Sequence, residues 1–169
     1  MWRSTPRPRV CEICNFSIWS SPIGICLQVE GGDWVIDRCG LRIPNASITI
    51  PQPQALVVAC CDAQLHLSAC TLDGVHGLPA LSTGVDSLDA LSASGVAAGG
   101  DSRVRITDCW LRRLSLSIHV LDQARLELRR GAVCGATFSI AMDDRALVTL
   151  RQTVLSSWAS GGSEAAGRP

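Results

Sequence analysis

Five arginines in the C-terminal half of the chain recur at a spacing that would bring them onto one surface. The same interval separates Arg103 from Arg125 and Arg129 from Arg151. Guanidinium groups bind carboxylates through paired hydrogen bonds, so a row of them suits an elongated anionic ligand or an acidic peptide. The spacing predicts a binding surface at Arg103, Arg105, Arg125, Arg129 and Arg151. The open alternative is an ordinary solvated face, in which acidic neighbours such as Glu127 neutralise the charge.

The nine cysteines include two groupings that could suggest a metal site. Cys11 and Cys14 form a Cys-x-x-Cys pair, and Cys60 and Cys61 are adjacent. A structural zinc site needs a second pair of ligands at comparable spacing, and no such pair follows. We therefore expect no metal and no cofactor, and we interpret most cysteines as small buried side chains.

Length and composition indicate one globular domain. The 169 residues are 47% hydrophobic and 18% charged, which excludes a disordered chain. The fifteen basic residues, all arginine, balance fifteen acidic ones. Because the net charge is zero, an anion-binding site has to be a local one. A nucleic-acid partner is not expected, since aromatic residues make up only 4% of the chain and form no stacking platform among the arginines.

Membrane insertion and secretion are not expected either. No apolar run approaches the ~20 residues of a membrane-spanning helix. The charged start, MWRSTPRPRV, is not followed by an apolar segment of the signal-peptide type. The sequence therefore predicts a cytoplasmic or nuclear protein.

The elements that would position the arginines follow from an internal repeat. The repeated template is apolar, any, apolar, any two, small, any, apolar, and its clearest copies begin at Val104, Leu126 and Val148, at a constant interval. Earlier copies begin at Cys11, Trp34, Leu56 and Leu78. Cysteine fills the small position at Cys39, Cys61 and Cys109, which we expect to stack as an internal ladder.

A second alternating segment follows several of these starts at a fixed distance. It is seen at Ile23/Ile25/Leu27, Ala46/Ile48/Ile50, Leu116/Ile118/Val120 and Phe138/Ile140/Met142. Alternation is typical of strands with one buried face, and stacking equivalent strands about 4.8 Å apart encloses a continuous apolar column. The predicted fold is all-β: a right-handed, single-stranded parallel β-helix of six to seven coils of about 22 residues. We expect it to span residues 9–155, between an N-terminal segment (1–8) and a disordered tail (156–169).

The middle of the chain permits two registers. In the first register the repeat keeps its even spacing, and its copies in this region begin at Leu56 and Leu78. Leu65, Leu67, Cys70 and Leu72 also fit the template, which would require two insertions of unequal length in place of a regular coil. We prefer the even spacing, with Leu65–Leu72 as later strands of the third coil.

These repeats resemble a known family. Segments such as GGDWVIDRCGLRI, DSRVRITDCWLRR and ARLELRRGAVCG are similar to the degenerate parallel β-helix repeats of the pectin-lyase-like superfamily. The variant with cysteine at the small position is similar to the β-helix domains of certain F-box and SHC-binding proteins. Enzymes and binding modules share this fold, so the resemblance implies a fold more than a function.

The superfamily's enzymes imply one catalytic alternative. Asp143 and Asp144 are the only adjacent aspartates, and His76 lies in a Gly-Val-His-Gly segment. A polyuronate hydrolase or lyase would use such carboxylates as acid and base, or to hold Ca²⁺. The other motifs of those enzymes are absent, so we favour no catalytic residues. The preferred hypothesis is a non-catalytic module for protein–protein recognition, with an acidic protein as partner. A truncated or degenerate carbohydrate-active enzyme, with a carbohydrate ligand, is the alternative.

Overall fold

The computed structural model describes residues 10–19, 25–42, 55–74, 94–114, 116–136, 138–143 and 145–157. Within these ranges the chain forms seventeen short strands and no helix, which confirms the all-β prediction. No helix in the described ranges is therefore long and apolar enough to cross a membrane. The predictions for residues 1–8, for Asp144 and for His76 lie outside the described residues, as does most of the predicted tail (156–169), but Ser156 and Ser157 form the end of a strand.

The strands form three parallel sheets. Sheet A contains β1 (Val10–Cys14), β4 (Asp33–Asp37), β7 (Gln64–Ser68), β10 (Arg103–Thr107), β13 (Arg125–Arg129) and β16 (Leu147–Arg151). Sheet B contains β2 (Ser17–Trp19), β5 (Gly40–Arg42), β8 (Thr71–Asp73), β11 (Trp110–Arg112), β14 (Ala132–Ala136) and β17 (Val154–Ser157). Sheet C contains β3 (Leu27–Val29), β6 (Ala55–Ala59), β9 (Ser94–Ala98), β12 (Leu116–Val120) and β15 (Phe138–Met142).

The chain passes through sheets A, B and C in that fixed order along the described residues. Each strand thus pairs with the strand at the equivalent place one circuit before or after it. This regular stacking is compatible with a parallel β-helix. The strands β12 and β15 coincide with the predicted second segments at residues 116–120 and 138–142.

The core is built from columns of inward side chains, one from each circuit. In sheet A, Val104 pairs with Leu126 and Leu126 with Val148, as their constant spacing predicts. The neighbouring inward column is fully buried along its middle, where it contains Ile36, Leu67, Ile106 and Leu128. Leu150 occupies the same column in β16 but is 40% exposed, because β16 is the last described strand of sheet A.

A left-handed corner separates each strand of sheet A from the next strand of sheet B. The residue after the sheet A strand has a positive φ of 48–60° in all six circuits, at Asn15, Arg38, Ala69, Asp108, Arg130 and Gln152. Non-glycine residues rarely adopt this conformation, so the tertiary structure has to enforce it. The next residue is small and buried in three successive circuits, where it is Cys39, Cys70 and Cys109.

The buried thiols close this corner by hydrogen bonding. Cys70 Sγ lies 3.2 Å from the Ser68 carbonyl oxygen, and Cys109 Sγ lies 3.2 Å from the Thr107 carbonyl oxygen. Thr153 takes the equivalent place in the last circuit and donates to the Arg151 carbonyl at 3.1 Å. In each case the thiol or hydroxyl group donates to the carbonyl oxygen two residues earlier, which precedes the left-handed residue. A small side chain that carries a hydrogen-bond donor therefore suits the position.

The preferred register of the middle of the chain is wrong. Leu65 pairs with Trp34 on one side and Val104 on the other, so Leu65 and Leu67 occupy the inward columns of sheet A. Leu56 and Val58 instead lie on β6 in sheet C. The structure therefore adopts the alternative register, with its two insertions. Loop-closure entropy rises only slowly with loop length, so insertions between stacked strands are tolerated.

The same correction changes the cysteine ladder. Cys61 is exposed in a turn with a φ of 58°, and its predicted place is taken by Cys70. The copy at Leu78 and the second segment at Ala46–Ile50 lie outside the described residues, and β6 supplies the sheet C strand of that circuit.

Candidate functional site

The five arginines of the predicted binding surface lie together on the outer face of sheet A. Arg103 pairs with Arg125, Arg105 with Glu127, and Arg129 with Arg151. Strand alternation turns all of these side chains away from the core, because the intervening residues form the buried columns. We call this surface, formed by Arg103, Arg105, Arg125, Arg129 and Arg151, the basic face. Its alignment was predictable from the sequence, whereas its role in binding stays a prediction.

A groove of about 540 Å³ runs across the basic face. Four of the five arginines line it, and Arg129 lies beside it. Further lining residues come from the earlier strands of sheet A and include Trp34 and His66. The groove thus combines guanidinium groups on its later strands with the imidazole of His66 and the carboxylate of Asp33 on its earlier strands.

Glu127 is the acidic centre of the basic face. Its carboxylate lies 2.6 Å from Arg129 Nη2, 3.3 Å from Arg105 Nε and 3.5 Å from Arg151 Nε. The hydrogen bond from Arg129 holds the pKa of Glu127 below its usual value, against a smaller opposing effect of desolvation. One carboxylate therefore orients three guanidinium groups and cancels only one of their charges.

The guanidinium groups of Arg103 and Arg125 have no ion pair or side-chain hydrogen bond within the described part of the chain. The solvated alternative, in which Glu127, Asp108 and Asp122 neutralise the stripe, therefore applies only in part. Asp108 pairs with Arg130 at 2.8 Å, away from the groove. Asp122 accepts a hydrogen bond from the Gly100 amide at 2.8 Å.

His66 adds a titratable group to the groove. Its Nε2 lies 3.2 Å from Thr107 Oγ1 on the adjacent strand, and it pairs in register with Arg105. Burial lowers the pKa of His66, and the positive charge of Arg105 lowers it further. Sequence reasoning left His66 unassigned because its alignment with Arg105 appears only in the register with insertions.

Trp34 lies in the same inward column as Leu65 and Val104, and its side chain packs against the core behind the groove. Its indole Nε1 donates to the Gly31 carbonyl oxygen at 2.9 Å, which fixes the ring.

A second charged cluster was missed altogether. Asp73, at the end of β8, is 3% exposed and accepts hydrogen bonds from Arg113 Nε at 2.6 Å and Arg112 Nη2 at 3.1 Å. Burial raises the pKa of Asp73, but the bonds and charges of the two arginines outweigh it, so the pKa is lowered overall. Arg112 pairs with Asp73 in register, and that register could be read only with the insertions. The cluster fixes the end of β8, and we interpret it as structural.

Of the three residues of the catalytic alternative, the structure describes only Asp143. Asp143 is exposed at the end of β15, and its Oδ2 lies 3.3 Å from His119 Nε2. This pair lies next to sheet C, away from the groove on sheet A. Asp144 and His76 lie outside the described residues, so the catalytic alternative stays a prediction.

The cysteines form no metal-binding cluster with histidine or acidic residues among the residues the structure describes. Cys11 is exposed and Cys14 half-buried, at the first strand of sheet A. The hydrogen bond with Cys70, followed by burial, raises the pKa of Cys109. A buried thiol with a raised pKa stays protonated and serves as a small packing residue.

No protein-family model matches the chain, and neither curated proteins nor solved structures gave a significant match to it. The functional inference therefore rests on the geometry and charge of sheet A.

Proposed function

We propose that this chain is a non-catalytic recognition module whose basic face binds an acidic segment of a partner protein. One observation carries the proposal: five arginines and one glutamate lie together on three adjacent strands of a chain with zero net charge. Such a local excess of positive charge attracts an anionic partner and orients its approach.

We also propose that the three stacked sheets form a right-handed parallel β-helix of the pectin-lyase-like kind. Its supports are the fixed order of sheets A, B and C and the six strands of sheet A, one for each circuit. Crossovers between parallel strands of one sheet are right-handed in the great majority of proteins. A stacked fold of this kind holds side chains at fixed spacing over tens of ångströms, which suits recognition of an extended segment.

The groove favours an extended acidic segment over a compact ligand. It crosses strands from β1 to β16, so its length lies along the stacking direction. Four of its lining residues are arginines, whose guanidinium groups bind carboxylates in a planar, two-bond geometry. An acidic segment lying across the strands would reach Arg151 and Arg125 at one end and Arg103 and His66 towards the other.

A direct test uses a fluorescein-labelled decaglutamate peptide as the probe and fluorescence anisotropy as the readout. We expect the full chain to bind the peptide, and the double variant Arg103→Gln, Arg125→Gln to bind it about tenfold more weakly. The matched control is Arg38→Gln, Arg130→Gln. It changes the net charge equally but removes arginines that pair with Asp37 and Asp108 outside the groove.

Equal weakening by both double variants would mean that the peptide senses only net charge, and the proposal would be wrong. The absence of any binding at low salt would contradict it as well, because surface charge attraction is strongest under that condition.

A further inference from the structure

Arg103 and Arg125 differ from the other arginines of the basic face because no carboxylate neutralises them in the described structure. They are register partners on β10 and β13, so their Cα atoms are about 4.8 Å apart. Their column continues with Gln64 on one side and Leu147 on the other, so neither register neighbour is acidic. Two adjacent positive charges without a counter-charge repel each other, and an anion that contacts both would relieve this repulsion.

The spacing of the two arginines discriminates between kinds of anion. In an extended peptide, side chains on the same face are about 6.6 Å apart, which is longer than the strand spacing of a sheet. Two neighbouring carboxylates of such a peptide are therefore set further apart than the backbones of the two arginines. A single carboxylate can contact more than one guanidinium group, as Glu127 does, but its one negative charge cannot neutralise two of them.

A phosphomonoester matches the pair better. It carries a charge of about −1.5 to −2 at pH 7 and three acceptor oxygens, so it can accept hydrogen bonds from two guanidinium groups at once. Arginine pairs suit this geometry because each fork is planar and stays charged at all relevant pH values.

Building on the proposed function, we propose that Arg103 and Arg125 form a phosphate-binding site for a phosphorylated side chain within an acidic segment of a partner protein. The phosphate bridges the two free guanidinium groups. Glu127 orients Arg105, on the next outward column, and Arg151, on the column beyond it, and these two arginines contact acidic residues that flank the phosphorylated position.

The test compares three labelled peptides made of glutamate and glycine that differ only at the central residue, which is serine, glutamate or phosphoserine. With the full chain we expect the phosphoserine peptide to bind about tenfold more tightly than the glutamate peptide. Equal affinity of the phosphoserine and glutamate peptides would contradict the proposed phosphate-binding site while leaving the proposed function intact. If none of the three binds, the proposed function itself fails.

The matched variant is Arg103→Lys, Arg125→Lys, which keeps both charges but removes the planar forks. We expect it to lose the preference, so that it binds the phosphoserine and glutamate peptides with nearly equal affinity. If the variant still prefers phosphoserine, charge alone selects the phosphate, and the proposed role of the two planar guanidinium groups is wrong. Inorganic phosphate serves as a competitor. If inorganic phosphate displaces the phosphopeptide at equal concentration, the site formed by Arg103 and Arg125 recognises free phosphate instead of a phosphorylated side chain. That result would also overturn the inference.

Discussion

Glu127 lies opposite Arg105 on adjacent strands of sheet A and also contacts Arg129, two residues along its own strand. This carboxylate therefore limits the positive charge that the basic face presents to a partner. It also holds three long side chains in defined positions, so the face is partly ordered before any ligand arrives.

Replacing this carboxylate should strengthen anion binding. In Glu127→Gln we expect the affinity for decaglutamate to rise about threefold to tenfold, because one negative charge is removed and three guanidinium groups are released. Anisotropy titration measures the change. The control, Asp37→Asn, removes the same charge at a site paired with Arg38, and it should alter the affinity much less. Weaker binding by Glu127→Gln would show that its orienting effect outweighs its charge.

His66 should report on the electrostatics of the groove. Its pKa is lowered by burial first and by Arg105 second, so we expect an NMR titration to give a value below the usual ~6.5. Because the folded pKa is depressed, the unfolded chain binds the proton more readily. Stability is therefore lost as the pH falls from the unfolded pKa through the folded one.

Two changes should move this titration upward. Arg105→Gln removes a nearby positive charge, and bound decaglutamate adds negative charge to the groove, so each should raise the pKa of His66. Arg130→Gln, outside the groove, should leave it in place. A His66 titration that does not respond to the peptide would place the bound peptide elsewhere.

The buried Asp73 should contribute more to stability than the exposed Asp108, although both pair with arginine. Asp73→Asn weakens charge-assisted hydrogen bonds in a site that is 3% exposed, and we expect a loss of about 2 kcal/mol in urea unfolding. In Asp108→Asn, where the pair is solvated, the loss should be hard to detect.

The pH dependence provides the check on Asp73. The pKa of Asp73 is lowered overall, so its contribution is complete above the unfolded value of ~3.9 and is lost as the pH falls through the folded value. The difference between wild type and Asp73→Asn should therefore shrink below pH ~4. A difference that stays constant through strongly acidic pH would mean that the carboxylate's charge is not the source of the stability.

Gly74 and Gly40 provide a matched pair for testing the close packing at the end of β8. A Cβ at Gly74 would overlap the Arg113 carbonyl oxygen, which is backbone and cannot move aside. We expect Gly74→Ala to destabilise the fold by about 2 kcal/mol or more. At Gly40 the nearest atoms would be 3.9 Å away, so Gly40→Ala should change stability by less than about 1 kcal/mol. Equal effects of the two substitutions in thermal unfolding would contradict the packing described here.

The sequence predicted the later circuits well and the middle poorly, for a physical reason. Val104, Leu126 and Val148 recur at a constant spacing, so their stacking follows from alternation and period alone. In the middle, Leu56 and Val58 alternate as convincingly as Leu65 and Leu67, and both pairs lie on strands. Only the packing of neighbouring circuits decides which pair enters sheet A.

The same ambiguity explains which site residues could be found. The five arginines lie on strands whose spacing is regular, so their alignment was readable. The approach of Asp73 to Arg112 and of His66 to Arg105 depends on the register with insertions, so both were missed.

The most direct test of the basic face is an NMR titration that follows the Nε–Hε signals of the arginines while decaglutamate is added to the full chain. We expect the largest shifts at Arg103 and Arg125, with smaller shifts at Arg105 and Arg151. Arg112 and Arg113, which hold Asp73 beside sheet B, should stay nearly unchanged. Largest shifts at Arg112 and Arg113, with Arg103 and Arg125 unmoved, would contradict the assignment of binding to the basic face.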